Sequence, residues 1–179
     1  MTDRHKSTYK KVVVRRLDHE LIKGFVEAAS FLKPTSIEML DREGRALSVP
    51  LGEIKGVFFV REFDGNPQRS ERKLFQSRPR MAGLWVQMTF KDREVLEGLL
   101  PGNLIETTPE GFLLTPADVY SNNLKIFVPR SALSDISVLG VIPDRRLREL
   151  SRIRTARARA TASLDLQIGL FPSEAERKQ

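Results

Sequence analysis

The sequence predicts a mainly β protein made of two similar five-stranded halves, followed by a basic helix and a tail. The main observation is an internal repeat, because residues 12–25 align with residues 86–99 and residues 49–57 align with residues 128–136. The offset between the copies is five residues larger at the second match, so the second half has the longer middle loop. Apolar and polar residues also alternate in both halves, which is typical of half-buried antiparallel strands.

The first two strands of each half are predicted on either side of an aspartate turn. In the second half, Met88 and Phe90 alternate with polar neighbours before Asp92, and Asp18 occupies the corresponding place in the first half. An aspartate carboxylate can accept a hydrogen bond from the backbone amide two residues on, which stabilises a chain reversal. We therefore expect a hairpin at each of these aspartates.

The other strands follow in the same order in both halves. Gly24 and Gly98 lie late in the second strands, where a residue without Cβ permits the bend that lets a short sheet curl on itself. The remaining strands are predicted in pairs, one per half, at 37–40 and 112–115, at 46–49 and 125–128, and at 54–60 and 133–139. Five short strands per half are enough to form a small barrel.

This order of strands resembles the Sm-like and SH3-like small barrels. The resemblance implies a first small barrel over residues 11–62 and a second over residues 84–141. We expect the two barrels to pack through a shared apolar surface that includes Phe58 and Phe59, because two fused copies can pair the edges that each would otherwise expose. The Arg-Gly pair of the Sm uridine pocket is not found where the fourth strands begin, so the resemblance implies a fold and not base recognition.

A closer resemblance covers residues 11–140. The stretch from Lys55 to Gly65 reads Lys-Gly-Val-Phe-Phe-Val-Arg-Glu-Phe-Asp-Gly. Downstream, Pro116-Ala117-Asp118 is followed by Ser121-Asn122-Asn123 and by Ile126-Phe127-Val128. These stretches are similar to those of an uncharacterised bacterial domain family. The resemblance brings no known activity with it.

The linker between the halves, residues 63–83, is rich in charge, Gly and Pro. Two interpretations stay open for it, a solvated connector with two apolar anchors, Leu74 and Phe75, or a phosphate-facing basic loop. The second interpretation makes the linker cations candidate nucleic-acid contacts. These are Arg69, Arg72, Lys73, Arg78 and Arg80.

The composition changes at Pro143. Residues 143–179 hold nine Lys+Arg and five Asp+Glu, a net charge of +4 within the +7 of the whole chain. Asp144 can cap a helix over residues 143–162, and alanines favour its continuation. All seven basic residues between 145 and 159 are arginines, whose guanidinium fork can hold a phosphate with two hydrogen bonds. The segment is either a basic surface helix that supports solubility or a polyanion-binding helix whose contacts are Arg145, Arg146, Arg148, Arg152, Arg154, Arg157 and Arg159.

The tail, residues 163–179, contains the pentapeptide Gln167-Ile168-Gly169-Leu170-Phe171. It is similar to the peptide with which many bacterial replication and repair proteins dock on the replicative sliding clamp. In that interpretation Gln167 is the polar anchor, Ile168 a minor apolar contact, and Leu170 with Phe171 the buried pair. The alternative is that the segment packs back on its own domain or adds an edge strand.

Composition excludes several classes of function. The chain of 179 residues has no cysteine and only two histidines, so it offers no disulfide framework, Cys-based zinc site or thiol nucleophile, and a Ser-His-Asp triad is hard to assemble. No apolar run approaches the length of a membrane span, and the N-terminal residues contain no apolar stretch for a signal peptide. We expect a cytoplasmic protein with no enzymatic activity, cofactor or metal.

Together these features favour a non-enzymatic, nucleic-acid-associated binding protein. Its contacts would go to phosphates and tolerate any base sequence, and binding would weaken steeply as salt rises. The sliding clamp is a second expected partner. The alternative is a protein-interaction adaptor of bacterial signalling or assembly, in which the basic tail serves only solubility.

Overall fold

The computed structural model describes residues 8–66, 68–103, 107–118, 120–144, 149–150 and 152–155. The chain divides into two compact units, Met1–Ile142 and Pro143–Gln179. In the second unit, residues 149–150 and 152–155 are helical and exposed. The predicted helix over 143–162 lies mostly outside the described residues.

The described residues of the first unit form ten strands, and these fall where the sequence predicts them, with ends shifted by a few residues. Each half also has a single 3₁₀ turn between its fourth and fifth strands, Leu51–Glu53 and Arg130–Ala132. The strands of the first half are β1 (Tyr9–Arg16), β2 (Leu21–Glu27), β3 (Ser36–Asp41), β4 (Ala46–Pro50) and β5 (Ile54–Val60). Those of the second half are β6 (Gly83–Phe90), β7 (Val95–Leu100), β8 (Gly111–Pro116), β9 (Asn123–Pro129) and β10 (Leu133–Ile142).

The two halves share their strand order and the register of their pairings. In each half the order is fifth, first, second, third, fourth. Val12 lies opposite Gly24 in the first half, and Val86 lies opposite Gly98 in the second. The irregularity that skips Lys55 between β1 and β5 recurs at Ser134 between β6 and β10. The repeat seen in the sequence is therefore also a repeat of the hydrogen-bond ladder.

One further pairing joins the halves, between β5 of the first and β9 of the second. Val57 lies opposite Phe127, and Phe58 lies opposite Ile126. The result is a single ten-stranded antiparallel sheet in the order β10-β6-β7-β8-β9-β5-β1-β2-β3-β4, with β10 and β4 outermost. The mainly β class is confirmed, whereas closure of each half into an Sm-like or SH3-like small barrel stays a prediction.

Each half has its own apolar core, and the two cores exchange side chains across the β5–β9 pairing. Phe127 of the second half belongs to the first core, where its ring lies 5.8 Å from that of Phe31 in an edge-to-face arrangement. Phe58 of the first half packs against the second core, and its neighbour Phe59 packs against the first. Burying side chains of this size contributes about 1.5–3 kcal/mol each. The sheet is therefore stabilised at the junction by both halves.

The aspartate turns form as predicted. The carboxylate of Asp18 accepts a hydrogen bond from the backbone N–H of Glu20 at 3.0 Å, and Asp92 accepts one from Glu94 at 3.1 Å. The glycines of β2 and β7 allow a close approach of the next strand, since a Cβ on Gly24 would lie 2.1 Å from the carbonyl oxygen of Leu40.

Candidate nucleic-acid interface

The linker is held against the second half by a polar network at the start of β9. The carboxylate of Glu71 accepts hydrogen bonds from the backbone N–H of Asn122, at 2.8 Å, and from the side chain of Asn123. The amide of Asn122 in turn accepts from the backbone N–H of Glu62 at 3.0 Å and donates to its carbonyl oxygen at 2.7 Å. Asn122 and Asn123 of the stretch singled out in the sequence therefore hold the start of the linker, at Glu62, and its middle, at Glu71.

A second attachment lies on β7, at the buried carboxylate of Glu97. It accepts hydrogen bonds from the backbone N–H of Phe75 at 3.0 Å and from the indole N–H of Trp85 at 3.1 Å. The rings of Phe75 and Trp85 meet edge to face at 5.9 Å. Phe75 is thus an apolar anchor, as predicted, but Leu74 is 47% exposed and is not one.

Arg69, predicted as a nucleic-acid contact, is exposed and forms an ion pair with a buried carboxylate. Its guanidinium donates to both carboxylate oxygens of Asp118 at 2.9 Å, and Asp118 is only 6% exposed. Burial by itself would raise the pKa of Asp118, but hydrogen bonds from Arg69 and from the backbone of Tyr120 and Arg72 hold that pKa below its ordinary value. Arg69 therefore balances a buried charge, and its role as a nucleic-acid contact stays a prediction.

Lys73 is engaged in a similar way, in a charge cluster at the junction of the halves. Its ammonium lies 3.1 Å from the carboxylate of Glu94, which also contacts the ammonium of Lys55 at 2.5 Å. Lys55 is 3% exposed, forms a second ion pair with Asp92, and lies 4.9 Å from the centre of the Phe90 ring. The sequence analysis named Lys55 only as part of a family resemblance and not as a buried cation, although a lone lysine within an apolar strand is a signal for a buried ion pair.

These contacts lower the pKa values of both carboxylates. For Asp92 the hydrogen bond from Lys55 is the largest cause. For Glu94, burial acts in the raising direction, and hydrogen bonds from Lys55 and Lys73 outweigh it. Both groups therefore stay ionised in the folded protein at neutral pH, and the cluster links β5 to the β6–β7 turn.

The other linker arginines converge on one cleft, which we call the basic groove. It is a depression of about 400 Å³ beside the linker. Arg72 is oriented by a hydrogen bond from its guanidinium to the Gln76 side chain at 2.8 Å. Phe75, Met81 and Leu124 supply apolar surface in the same groove. Its four arginines, all exposed, are Arg61, Arg72, Arg78 and Arg80.

The charge of the basic groove is not compensated within the part of the chain that the structure describes. None of its four arginines forms an ion pair with a described residue. Asp118, the carboxylate in the groove wall, is neutralised by Arg69. Arginines beside each other on a concave surface attract anions, and their guanidinium groups fit the oxygens of a phosphate. The groove can therefore bind an anion without first breaking an ion pair.

Arg61 is the groove residue that the sequence analysis missed. It directly follows β5 and is 8 residues before the first predicted linker contact, Arg69. Its backbone N–H donates to the carbonyl oxygen of Asn122 at 3.0 Å, which places this end of the linker next to β9. No local pattern distinguishes Arg61 from other exposed arginines, since its place in the groove depends on the pairing of distant strands.

The remaining predicted contacts lie in the second unit. Arg152 and Arg154 are exposed within its helical residues. The others fall outside the described residues, namely Arg145, Arg146, Arg148, Arg157 and Arg159, and with them Gln167, Ile168, Leu170 and Phe171.

In the part of the chain that the structure describes, no three His, Asp or Glu side chains are placed together so that they could hold a metal ion. No helix in the described part of the chain is long and apolar enough to cross a membrane.

Comparison with known proteins identifies a family and no activity. Neither the curated proteins nor the solved structures contain a match to this chain. The sequence pattern of a family of unknown function, DUF6982, matches residues 8–140, which is all of the sheet except the end of β10. The match extends over both halves and the linker, and its limits agree with the 11–140 expected from the sequence. The chain belongs to this family of unknown function, DUF6982.

Proposed function

We propose that this protein is a non-enzymatic binding protein that associates with nucleic acid through phosphate contacts in the basic groove. The observation that carries the proposal is the set of four exposed arginines around one cleft, none of them in an ion pair with a described residue. Phosphate contacts carry no base information, so binding would be sequence-tolerant.

The shape of the basic groove supports a polymer chain as the ligand. A cleft of about 400 Å³ accommodates one nucleotide at a time, with neighbouring nucleotides extending over its rim. Met81 and Leu124 are exposed among the arginines and offer apolar surface to a sugar or a base face. Single-stranded nucleic acid presents both phosphates and unstacked bases, so it matches this mixed surface better than a duplex does.

The second unit carries candidate phosphate contacts of its own. Residues 143–179 carry a net charge of +4, and the seven arginines between 145 and 159 offer further phosphate contacts. Each phosphate neutralised by Lys or Arg releases a counterion, so affinity should fall in proportion to a power of the salt concentration. We infer that the groove positions the strand while the arginine-rich segment increases affinity.

A titration with a fluorescently labelled single-stranded oligonucleotide tests the groove. The double variant Arg61→Gln/Arg80→Gln should weaken binding at least tenfold at low salt and reduce the steepness of its salt dependence. Arg93→Gln, which removes an exposed arginine outside the groove, is the matched control and should change neither quantity. Equal binding by wild type and double variant would show that the groove is not the site.

Deleting residues 143–179 separates the two proposed parts of the interface. If the deletion weakens binding, and Arg61→Gln/Arg80→Gln still weakens it further by the same factor, then both the groove and the arginine-rich segment contribute to affinity. No binding by the full chain to DNA or RNA at low salt would favour the alternative, a protein-interaction adaptor. That alternative is favoured by exposed aliphatic side chains on β10, among them Val138 and Val141.

The finer architecture and the clamp contact remain parts of this proposal. Separate cores and matched registers support the prediction that each half is a small-barrel module. The peptide from Gln167 to Phe171 supports recruitment to the sliding clamp by its residue pattern alone.

A further inference from the structure

The outer edge of β10 exposes aliphatic side chains. Val138 is 61% and Val141 60% exposed, and Ile136 and Leu139 are exposed beside them. Strands at the edge of a sheet are commonly protected from pairing with another strand by charged side chains, proline or β-bulges. Over Leu133–Ile142 the only charged residue is Asp135. This edge therefore carries neither lysine nor proline. Its pairing with β6 is irregular at Ser134 and Leu139, but β5 is irregular at Lys55 as well and still pairs with β9.

The corresponding strand of the first half is covered. Val57 and Val60 of β5 occupy the places of Ile136 and Leu139 in the repeat, and both are buried. What covers β5 is β9, the fourth strand of the other half, in an antiparallel pairing. The fifth strand is thus apolar in both halves, but it is covered in the first half, as β5, and exposed in the second, as β10.

By analogy with β9, the strand that would cover β10 is the fourth strand of a half. The fourth strand of the first half, β4, is at the edge of the described sheet. β4 pairs with β3 on one side and is the last strand of the sheet on the other. Ala46, Leu47 and Ser48 of β4 are exposed. Their counterparts in β9 are Lys125, Ile126 and Phe127, which are the residues that pair with β5. The two outer edges of the described sheet, at β10 and β4, are therefore the same two kinds of edge that pair inside it at β5 and β9.

We propose that β10 of one molecule pairs antiparallel with β4 of a second copy of this chain, repeating between molecules the β5–β9 pairing within each molecule. The occupant is a second copy because the chain itself supplies the complementary edge with matching strand direction. The inference does not depend on nucleic-acid binding.

The internal pairing also fixes the register. Val57, Phe58 and Phe59 of β5 lie opposite Phe127, Ile126 and Lys125. The counterpart of a β5 residue in β10 lies 79 positions later, and the counterpart of a β9 residue in β4 lies 79 positions earlier. The same pairing therefore places Ile136 opposite Ser48, Ser137 opposite Leu47, and Val138 opposite Ala46. A shift of one residue would turn every side chain to the other face, so the register is a strict prediction.

This contact is head-to-tail, since it joins two different edges. Such a contact forms a closed ring when the rotation between neighbours completes a circle and an open chain of molecules when it does not. A symmetric dimer, by contrast, would bring β10 against β10.

Disulfide trapping tests the register, and the absence of cysteine makes it unambiguous. Ser137→Cys and Leu47→Cys are made in separate chains, which are mixed and oxidised mildly. We expect a covalent dimer in the mixture and none in either variant alone. Leu21→Cys, on the exposed surface of β2, mixed with Ser137→Cys is the control and should give none. A covalent dimer of Ser137→Cys by itself would show β10 paired with β10 and overturn the proposal.

Sedimentation velocity over a range of concentrations gives an independent readout. The wild type should form species larger than a monomer as concentration rises, and Val138→Lys should remain monomeric with an unchanged circular dichroism spectrum. Leu21→Lys is the matched control for a lysine on an exposed strand and should associate like the wild type. A wild type that stays monomeric at every concentration would overturn the proposal, including the case in which residues 164–172 cover the β10 edge of their own chain.

Discussion

Phe127 lies opposite Val57 in the β5–β9 pairing, and its side chain belongs to the core of the half from which it does not come. Both residues are almost completely buried. The contact between the halves is therefore part of the core packing. Unfolding of one half would expose apolar surface of the other, so the sheet should unfold as one cooperative unit.

Replacing Phe127 by alanine tests this dependence. Phe127→Ala should lower the free energy of unfolding by about 3–5 kcal/mol, because it leaves a cavity in the core of the first half. The measurement is denaturant unfolding followed by circular dichroism and by fluorescence of Trp85, which lies in the second half. Leu113→Ala removes an exposed side chain from the neighbouring strand and should have little effect. Two separate transitions in the wild type would contradict the single unit.

The local elements of this fold could be predicted from the sequence, because their determinants are close together in the chain. The Asp18 and Asp92 turns need a carboxylate and an amide two residues apart, and the strands need only alternation. The pairing of Val57 with Phe127 spans 70 residues and depends on which edges the two halves leave free. A repeat indicates that such edges exist but not which two will meet.

The same distinction explains what was missed at the candidate site. Arg69 looks like any loop arginine until the fold brings it to Asp118, 49 residues away. Arg61 is not part of the arginine-rich run, and β9 places it beside that run. Residue type therefore identifies the kind of ligand, whereas the availability of each arginine depends on the tertiary structure.

Arg69 and Arg80 should respond differently to substitution. Arg69→Gln leaves the buried carboxylate of Asp118 without its cation, so it should lower the free energy of unfolding by more than about 1 kcal/mol. Arg80→Gln should leave stability unchanged and weaken oligonucleotide binding. Thermal unfolding and anisotropy titrations on both variants check this separation. Loss of stability in Arg80→Gln, or none in Arg69→Gln, would contradict the assignment of the two residues.

Lys55 should make the stability of the protein sensitive to acid. The pKa values of Asp92 and Glu94 lie below their ordinary values of 3.8 and 4.5 in the folded state. Their contribution to stability is therefore fully present above those ordinary values and is lost as the pH falls through the lowered ones. In Lys55→Met the carboxylates lack this partner, and the variant should be less stable at neutral pH.

The quantity to measure is the difference in free energy of unfolding between the wild type and Lys55→Met. Asp41, Asp64 and Asp118 also have lowered pKa values, so both proteins should lose some stability in acid. Denaturant unfolding at a series of pH values should show that this difference in free energy of unfolding becomes smaller as the pH falls. A constant difference would mean that Lys55 stabilises the junction by packing and not by charge.

The close approach at Gly24 predicts a severe effect of a single methyl group. In Gly24→Ala the new Cβ would lie 2.1 Å from the backbone oxygen of Leu40, and a backbone atom cannot move aside without shifting β3. The free energy of unfolding should fall by about 1–3 kcal/mol or more. Gly52→Ala, with nothing within 4 Å of the added Cβ, is the control. Equal melting temperatures for the two variants would argue against this strand arrangement.

The tail peptide, residues 167–171, should bind a bacterial sliding clamp. A short segment that becomes ordered only on binding has micromolar affinity, because the ordering entropy offsets part of the contact energy. Truncating an aromatic anchor in a desolvated pocket costs more than about 2 kcal/mol, so Leu170→Ala/Phe171→Ala should abolish binding in a titration with purified clamp. The control Leu164→Ala/Leu166→Ala lies outside the pentapeptide and should bind normally.

The melting temperature decides between docking and packing for this peptide. If residues 167–171 dock on the clamp, the Leu170→Ala/Phe171→Ala variant should melt with the wild type, since the removed side chains contact only the partner. If the segment packs on its own domain, the same variant should melt at a lower temperature and the clamp should bind neither protein. Because the two outcomes differ in both measurements, a single pair of proteins distinguishes a recruitment peptide from a structural one.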